Sequence, residues 1–387
     1  MNLKKPIDSK KTMLIHSEAK VEFFKTYLER YLRILYLAHG IDEINIFDVF
    51  CGTGIYENGK KGSPIVAFDA IKKLRDDQGF DKRINLIVND SKETKVSTVR
   101  DYIDNNNRNY CDVGYHNQPA ELMFGEVIKQ LNRQSRNSRN LVFIDPYGYK
   151  EIRKATLQKL LENERTEIIL FLPISQMQRF TTTALESDLE PYKPLRIFVD
   201  SFFEESHPIR KQYVSAIQYI DYLKEKLRFE KYFSASYYIE RDESSYYGLF
   251  FISPHIYGIQ KILEVKWDLD EEGGKGFRQP EAQPSFSLFE QQDKELAKND
   301  NYKRLEEILK NSLQTPKNNW ELYEIILQNE FLPKHANEIF KNWQENSKTL
   351  KVSEINTGKP ARKNSFYVNW DNYKNNVGNP KVLFTLL

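Results

Sequence analysis

The stretch Ile44-Asn45-Ile46-Phe47-Asp48-Val49-Phe50 and the turn after it, Cys51-Gly52-Thr53-Gly54-Ile55-Tyr56, decide how the rest of the chain reads. A short apolar run with a single acidic interruption reads as a buried strand. Glycines two apart directly after it let the backbone turn sharply and let a ligand come close to it. Taken alone, Gly52-x-Gly54 also fits a plain strand-to-helix turn. The next segment supplies the helix: Ser63 reads as an N-cap and Pro64 as the first helical residue, with the helix running to about Leu74.

Working outward, the same alternation repeats. A helix is expected from about Ser17 to Ala38, with Val21, Phe24, Leu28, Leu32 and Leu35 at helical spacing and Ser17 as its cap. After the glycine turn come a strand at Ile84–Asn89, a helix at Lys92–Asn105, a weak strand near Val113 and a helix at Ala120–Asn132. A strand at Leu141–Ile144, a helix at Ile152–Leu161 and a strand at Glu167–Leu172 complete the series. Strand and helix alternating over the first 175 residues give an α/β fold, a doubly wound and mainly parallel sheet. Residues 176–230 read as a mostly polar helical insertion. Two aromatic strands, Tyr232–Ile239 and Tyr246–Ile252, form an antiparallel hairpin through Arg241-Asp242-Glu243-Ser244, and a short helix with Trp267 closes a first domain spanning 13–270.

Residues 271–297, with Gly273, Gly274, Gly276, two prolines and several Gln and Ser, have the composition of a linker. Residues 298–387 read as three helices, Tyr302–Leu313, Trp320–Asn329 and Pro333–Asn346, and two strands, Leu350–Ser353 and Ser365–Asn369. The connection between these strands is the basic stretch Gly358-Lys359-Pro360-Ala361-Arg362-Lys363-Asn364. That order is the plan of a winged helix.

At 387 residues, two globular units are expected, and 23 Tyr and 24 Phe are ample for packed cores. Disordered chains are poor in such residues. No apolar run approaches the roughly 18–20 residues needed to span a bilayer. No apolar segment follows the basic start (Lys4, Lys5, Lys10, Lys11), so no secretory leader and a cytoplasmic setting are expected. Two cysteines, Cys51 and Cys111, exclude a disulfide framework and a cysteine-built zinc site. The six histidines show no metal spacing, so no metal is expected. The net charge of +2 decides nothing about nucleic acid, and local clusters must do so.

Three features turn the glycine loop into a candidate cofactor site. Asp48 precedes the glycines. The helix begins only near Pro64, so no helix N-terminus is aimed at a phosphate, unlike a dinucleotide fingerprint. Asp90, at the end of the second strand, supplies a carboxylate able to accept from both ribose hydroxyls. A nucleoside ligand with an acidic entry and no phosphate recognition is S-adenosylmethionine (SAM), with Asp48, Gly52, Gly54 and Asp90 as its holders. Gln118 follows the third strand, the topological place for the adenine. The fourth strand ends in Asp145-Pro146-Tyr147-Gly148, beside the glycine loop. Asp145 or the Pro146 carbonyl there can accept a hydrogen bond from an amine whose lone pair stays free to attack a methyl group. Asp145 as a simple helix cap is the alternative. Cys51 reads as a small buried residue. His16 and Lys20 lie one helical turn apart, facing either the cleft or solvent.

With these residues in view, the chain resembles the three-Cys-motif partner proteins (TcmP), a methyltransferase-like bacterial group. The resemblance rests on His16-Ser17-Glu18-Ala19-Lys20, Asp48 to Tyr56, Gly62-Ser63-Pro64, Asp145-Pro146-Tyr147-Gly148 and Trp267-Asp268-Leu269-Asp270, and it spans roughly residues 13–275. Phe331 to Asn337 and Gly358 to Tyr367 look like the helical tail that many members carry. The resemblance implies a Rossmann-like class I methyltransferase fold and a partner protein with three cysteines, similar to radical-SAM proteins. Any iron–sulfur chemistry would belong to that partner. Asp-Pro-aromatic-Gly is also similar to the motif of tRNA guanine-N2 dimethyltransferases. It departs from the Asp-Pro-Pro-aromatic motif of adenine-N6 enzymes.

In the C-terminal segment, Ala336, Ile339, Phe340 and Trp343 form a buried stripe. Lys334, His335, Asn337, Lys341, Asn342 and Gln344 are then expected to point outward, toward bases and phosphates. Lys359, Arg362 and Lys363 add to that surface. The expectation is a SAM-dependent methyltransferase acting on an amino nitrogen of a base in DNA or RNA, with Asp145, Pro146 and Tyr147 at the chemistry. The rival is a catalytically silent SAM-binding adaptor that delivers a cysteine-rich partner to nucleic acid.

Overall fold

The structure, a computed structural model, describes residues 12–79, 81–242, 245–270, 273–277, 288–374 and 379–387. Lys4, Lys5, Lys10 and Lys11, the Glu243-Ser244 part of the hairpin connection and much of the expected linker (271–272 and 278–287) lie outside them. Contacts divide the described residues into two compact units. One lies within Met1–Pro254 and Gly276–Gln279, the other within His255–Lys275 and Pro280–Leu387.

The first unit is built on β1 (Glu43–Asp48), β2 (Arg83–Asn89), β3 (Asp112–His116), β4 (Ser138–Ile144) and β5 (Thr166–Leu172). These five run parallel, β1 pairing with β2 on one side and β4 on the other. β6 (Phe233–Asp242) and β7 (Ser245–Ser253) form the antiparallel hairpin, and β7 pairs antiparallel with β5. β8 (Gly276–Phe277) adds a short parallel edge to β6. The order is β3-β2-β1-β4-β5-β7-β6-β8. A parallel sheet entered at its centre, with the last major pair inserted so that β7 runs backwards, is the Rossmann-like class I methyltransferase arrangement. Chain order reverses between β1 and β4, so a crevice opens outside their carboxyl ends.

Alternate residues feed opposite faces of the sheet. On one face, α1 (Ile15–Leu37) seats Phe24 against Phe143 at 4.3 Å, Phe23 against Tyr237 at 4.8 Å and Tyr27 against Phe251 at 4.9 Å. α2 (Ser63–Gln78) packs beside α1, and α3 (Glu93–Asn106) beside α2. On the other face, Val142 and Ile144 join a core with α4 (Ala120–Arg133) and α5 (Lys154–Leu161). The insertion forms α6 (Ile174–Glu186), α7 (Lys193–Phe202), the single turn α8 (Pro208–Lys211) and α9 (Ala216–Leu227). It is less polar in effect than its composition suggests. Leu195, Phe198, Val199, Phe202, Tyr219, Leu223 and Leu227 are all buried in that same core, because its few apolar residues fall at helical spacing.

Two expected caps are corrected. α1 starts before Ser17, with Leu14 at the N-cap and no side-chain cap. α2 starts at Ser63, with Gly62 at the N-cap, and the Ser63 hydroxyl is spent elsewhere, on Asp48.

In the second unit, α10 (Ile256–Leu269) packs with α12 (Asn319–Gln328). Trp267 Nε1 donates to the Glu330 carbonyl at 3.0 Å, and its ring lies 4.2 Å from that of His335. α11 (Leu288–Ser312) and α13 (Pro333–Asn342) complete the helices around Leu322, Ile326, Ile339 and Phe340. A small antiparallel sheet holds β9 (Lys317–Asn318), β10 (Leu350–Glu354) and β11 (Val382–Leu386), in the order β10-β11-β9. Ser365–Asn369 is not the expected strand. Tyr367 takes a left-handed φ of 55°, which no ladder strand adopts; Phe366 and Val368 are buried from an irregular segment, which runs into the single turn α14 (Trp370–Lys374). The partner of β10 is the chain's last segment instead. Among the described residues, no helix is long and apolar enough to cross a membrane.

Candidate cofactor and acceptor site

The glycine turn forms as the sequence requires. Gly52 and Gly54 have φ of 63° and 71°, values that only glycine takes without strain. A Cβ at Gly54 would lie 2.7 Å from Val99 Cγ2, whereas one at Gly52 would meet nothing within 4 Å. Gly54 is therefore demanded by packing as well as by φ, and Gly52 leaves open space beside the backbone. The Cys51 amide donates to the Asn89 carbonyl at 2.8 Å, tying the turn to the end of β2. Cys51 is buried; burial, with Asp48 and Asp90 nearby, pushes its thiol well above the usual range. It is no nucleophile.

Asp48 ends β1 and is buried. One of its oxygens accepts from the Ser63 hydroxyl at 2.6 Å. Its Oδ1 meets no donor in hydrogen-bonding geometry, the Phe50 amide only pulling on the carboxyl from nearby, and among the described residues it is the only buried carboxylate oxygen in that state. Burial, reinforced by the charge of Asp145, raises the Asp48 carboxyl to about 7, against the pull of Ser63, the Phe50 amide and Lys20.

Asp90 is brought to the same loop. Its Oδ2 accepts from the Gly52 amide at 3.2 Å and from Lys95 Nζ at 2.9 Å, and its Oδ1 from the Lys92 amide at 3.0 Å. Gln118 is held beside it through Asn89, whose side chain bonds both the amide and the carbonyl of Gln118. Asp48, Gly52, Gly54, Asp90 and Gln118 thus all sit at the carboxyl ends of β1, β2 and β3.

Beside them, past the end of β4, Asp145 accepts from Lys20 Nζ, and the two side chains are only 19% and 12% exposed. Lys20 also lies 4.8 Å over the Phe171 ring, which stacks on Tyr247, which stacks on His16. The His16–Lys20 face of α1 therefore reaches the site. Burial alone would lower the Lys20 pKa; the neighbouring Asp145 outweighs it and holds Lys20 above the usual lysine value. Tyr147 is 76% exposed, and its hydroxyl accepts from Lys95, whose ammonium lies 4.4 Å from the ring centre. A cavity of about 900 Å³ opens beside Asp90 and Tyr147, lined also by Phe50, Phe124, Lys193 and Ile197; Asp48, Gly52, Gly54, Gln118, Asp145 and Pro146 do not line it. The insertion helix α7 supplies its far wall.

Sequence reasoning missed Lys95, Ser63 and the α7 wall. The local signals were faint: a lysine in the first turn of a helix and a serine before a proline both have commoner, local uses. A second cavity, about 620 Å³, sits at the β3–α4 edge around Asp112, Gly114 and Gln130, away from these groups. Among the described residues, no group of three or more His, Cys, Asp or Glu side chains is arranged to hold a metal ion.

In the second unit, Lys334, Lys341, Lys359, Arg362 and Lys363 are all exposed. Lys334 and Lys341 lie two turns apart on α13. Lys363 is paired with Glu345 at 3.0 Å. His335 does not point outward as expected: its Nδ1 accepts from the Leu332 amide at 3.1 Å, and burial against Trp267 lowers its pKa to about 4. The Asn337 Oδ1 is likewise buried.

No family model matches the chain, and no curated protein matches it by sequence. Among solved structures it is similar to an O-methyltransferase from Bacillus cereus in complex with SAH, at 13% identity over 65% of this chain and 93% of that one, TM-score 0.33. It is also similar to WbdD, at 10% identity over 62% of this chain and 36% of that one, TM-score 0.34. A third is Trm1 from Pyrococcus horikoshii with S-adenosyl-L-methionine, at 11% identity over 66% of this chain and 62% of that one, TM-score 0.31. At such identities and scores the likeness has no functional weight, and the fold rests on the strand order and register given above.

Proposed function

We propose that the first unit binds SAM and methylates an amino nitrogen of a nucleic-acid base. The observation that carries this reading is the buried, unpartnered Oδ1 of Asp48 beside a left-handed glycine turn. A buried acceptor without a donor is costly, and the ammonium of a methionine moiety would satisfy it. The residues fit the rest of the cofactor too. Gly52 leaves its backbone approachable, Asp90 keeps one acceptor position open toward a ribose, and Gln118 stands where the adenine would lie.

When bound, the cofactor supplies an electrophilic methyl group. The chain's own residues do the remaining work. Asp145 or the Pro146 carbonyl accepts a hydrogen bond from the acceptor amine, orienting it and leaving its lone pair free. Asp145 then takes up the proton that the nitrogen must lose. Tyr147, exposed at the mouth, offers a face on which an extruded or single-stranded base stacks. The α7 wall excludes water from one side of the cavity.

The second unit is read as a winged helix over 298–387 that places this site on nucleic acid through Lys334, Lys341, Lys359, Arg362 and Lys363, in a cytoplasmic setting. This extends the resemblance to three-Cys-motif partner proteins. A second reading, a SAM-binding adaptor for a three-cysteine partner, draws on the ion pair that already engages Asp145 with Lys20. Incubating the chain with methyl-labelled SAM and total cellular RNA and DNA, then analysing nucleosides, separates them. A labelled N-methyl base is expected; bound SAM with no labelled nucleoside would leave the adaptor.

A further inference from the structure

Asp90 presents a counting problem. An ionised carboxylate has about four acceptor sites, and three are filled: by the Gly52 amide, the Lys92 amide and Lys95 Nζ. A ribose diol brings two donors and needs two sites, so one present donor has to leave. The two amides are fixed. Gly52 is held in the glycine turn by the bond from Cys51 to Asn89, and Lys92 is the N-cap of α3. Lys95 is the donor on a flexible stem.

The same ammonium holds Tyr147. Lys95 Nζ donates to the Tyr147 hydroxyl and lies over its ring. Lys95 thus joins the residue that would take the ribose to the residue that would meet the acceptor, which lies 52 positions beyond Lys95 in the chain.

We propose that Lys95 is an internal competitor for the ribose diol: it holds Asp90 and Tyr147 together until the cofactor displaces it, and its departure frees Tyr147 for the acceptor. This rests on the SAM reading above and adds an order to it, cofactor first. Because coupling is reciprocal, whatever weakens the hold of Lys95 on either partner must tighten cofactor binding.

The test is calorimetric titration of S-adenosylhomocysteine into wild type, Lys95→Met and Tyr147→Phe. Lys95→Met keeps the buried stem and removes the donor, and is expected to bind roughly ten-fold or more tightly than wild type. Tyr147→Phe removes one partner of Lys95 at an exposed position, so the fold is spared, and a gain of about two- to five-fold is expected. Binding gained in Lys95→Met where wild type shows none would support the proposal equally. Unchanged or weaker binding in folded Lys95→Met would overturn it and leave the SAM reading standing. Should Lys95→Met fail to fold, Tyr147→Phe decides by the same criterion. No binding in any of the three would remove the SAM reading and the proposal together.

Discussion

The two ends of the central sheet bury polar groups in opposite ways. At the amino end, Asn85 donates to Asn45 at 2.7 Å and Asn45 to Asn140 at 3.2 Å, a ladder across β2, β1 and β4. Nearby on β5, Glu167 accepts from Tyr27 at 2.5 Å and from Ser253 at 2.6 Å. Each of these carboxylate and amide groups has partners from the same fold, Asn85 also donating to Glu43 at 2.7 Å. Buried atoms left without a partner at this end, Gln134 Nε2, Asn163 Nδ2 and Arg165 Nε, are donors. At the carboxyl end, Asp48 keeps an oxygen without a donor, while Asp90 and Asp145 are held by flexible lysines. Such partners can be exchanged. Neither burial nor a missing partner alone marks a site; what sets the carboxyl end apart is a buried carboxylate oxygen without a donor beside two carboxylates held by lysines.

The largest effect that would sharpen this contrast is catalytic. Asp145→Asn keeps the shape and one acceptor oxygen but removes the charge. It is expected to lower single-turnover methyl transfer roughly 10- to 1000-fold, with S-adenosylhomocysteine affinity nearly unchanged. The helix-cap alternative fails, because α5 has Arg153 at its N-cap and no side-chain cap. If Asp145 serves only its ion pair with Lys20, the same sample loses on the order of 1 kcal/mol of stability and keeps its rate.

Glu167→Ala should do the reverse. Tyr27 and Ser253 lose a shared acceptor, and about 3 kcal/mol of stability is expected to go, with cofactor affinity intact. Denaturant unfolding and calorimetry on one preparation check both halves.

The two ends also titrate alike but for separable reasons. Burial raises Glu167 from 4.5, and Asp48 from 3.8, to about 7. A carboxyl whose folded pKa is raised contributes stability that is fully present below its unfolded value and is lost as pH rises through the folded one. The melting temperature of the wild type should therefore fall between pH 5 and 8, each group contributing on the order of 3 kcal/mol at most. Glu167→Gln should remove its share with or without ligand. Saturating S-adenosylhomocysteine should remove only the Asp48 share. A pH slope untouched by Glu167→Gln would contradict the burial of that group in the fold.

The smallest effect concerns the second unit. Replacing Arg362 and Lys363 with Ala should flatten the salt dependence of nucleic-acid affinity by about one to two contacts' worth, roughly uniformly over sequences. Arg362 should carry the larger share, because Lys363 is already paired with Glu345. Binding that is absent or indifferent to salt would assign this unit to protein docking.

Most of the frame was legible in the sequence because period-2 and period-3.6 patterns are local. The β1–α2 turn, the β6–β7 hairpin and the neighbours of β1 all follow from that alternation. The glycine loop and the Asp145 turn were legible too, since each needs particular residues in a row. What escaped depends on distant partners. Ser63 resembled a cap, but its hydroxyl serves Asp48, fifteen residues upstream. Lys95, inside the expected helix Lys92–Asn105, carries no local signal; its role comes from Asp90 and Tyr147. Alternating Phe366 and Val368 signalled burial correctly, while the left-handed Tyr367 between them forbade a strand. His335 was read from helix periodicity, and its fate was set by Trp267 on another helix.

One titration tests the central claim, that the carboxyl end of this sheet is a SAM site organised by Asp48. S-adenosylhomocysteine is titrated calorimetrically at pH 7 in two buffers of different ionisation enthalpy. The ligand's ammonium should draw the Asp48 carboxyl down from about 7, so binding should release a fraction of a proton, and the observed heats should differ between buffers. In Asp48→Asn that difference should vanish and affinity should fall roughly ten-fold or more. No heat at millimolar ligand with the wild type folded, or binding unaltered in Asp48→Asn, would contradict the claim.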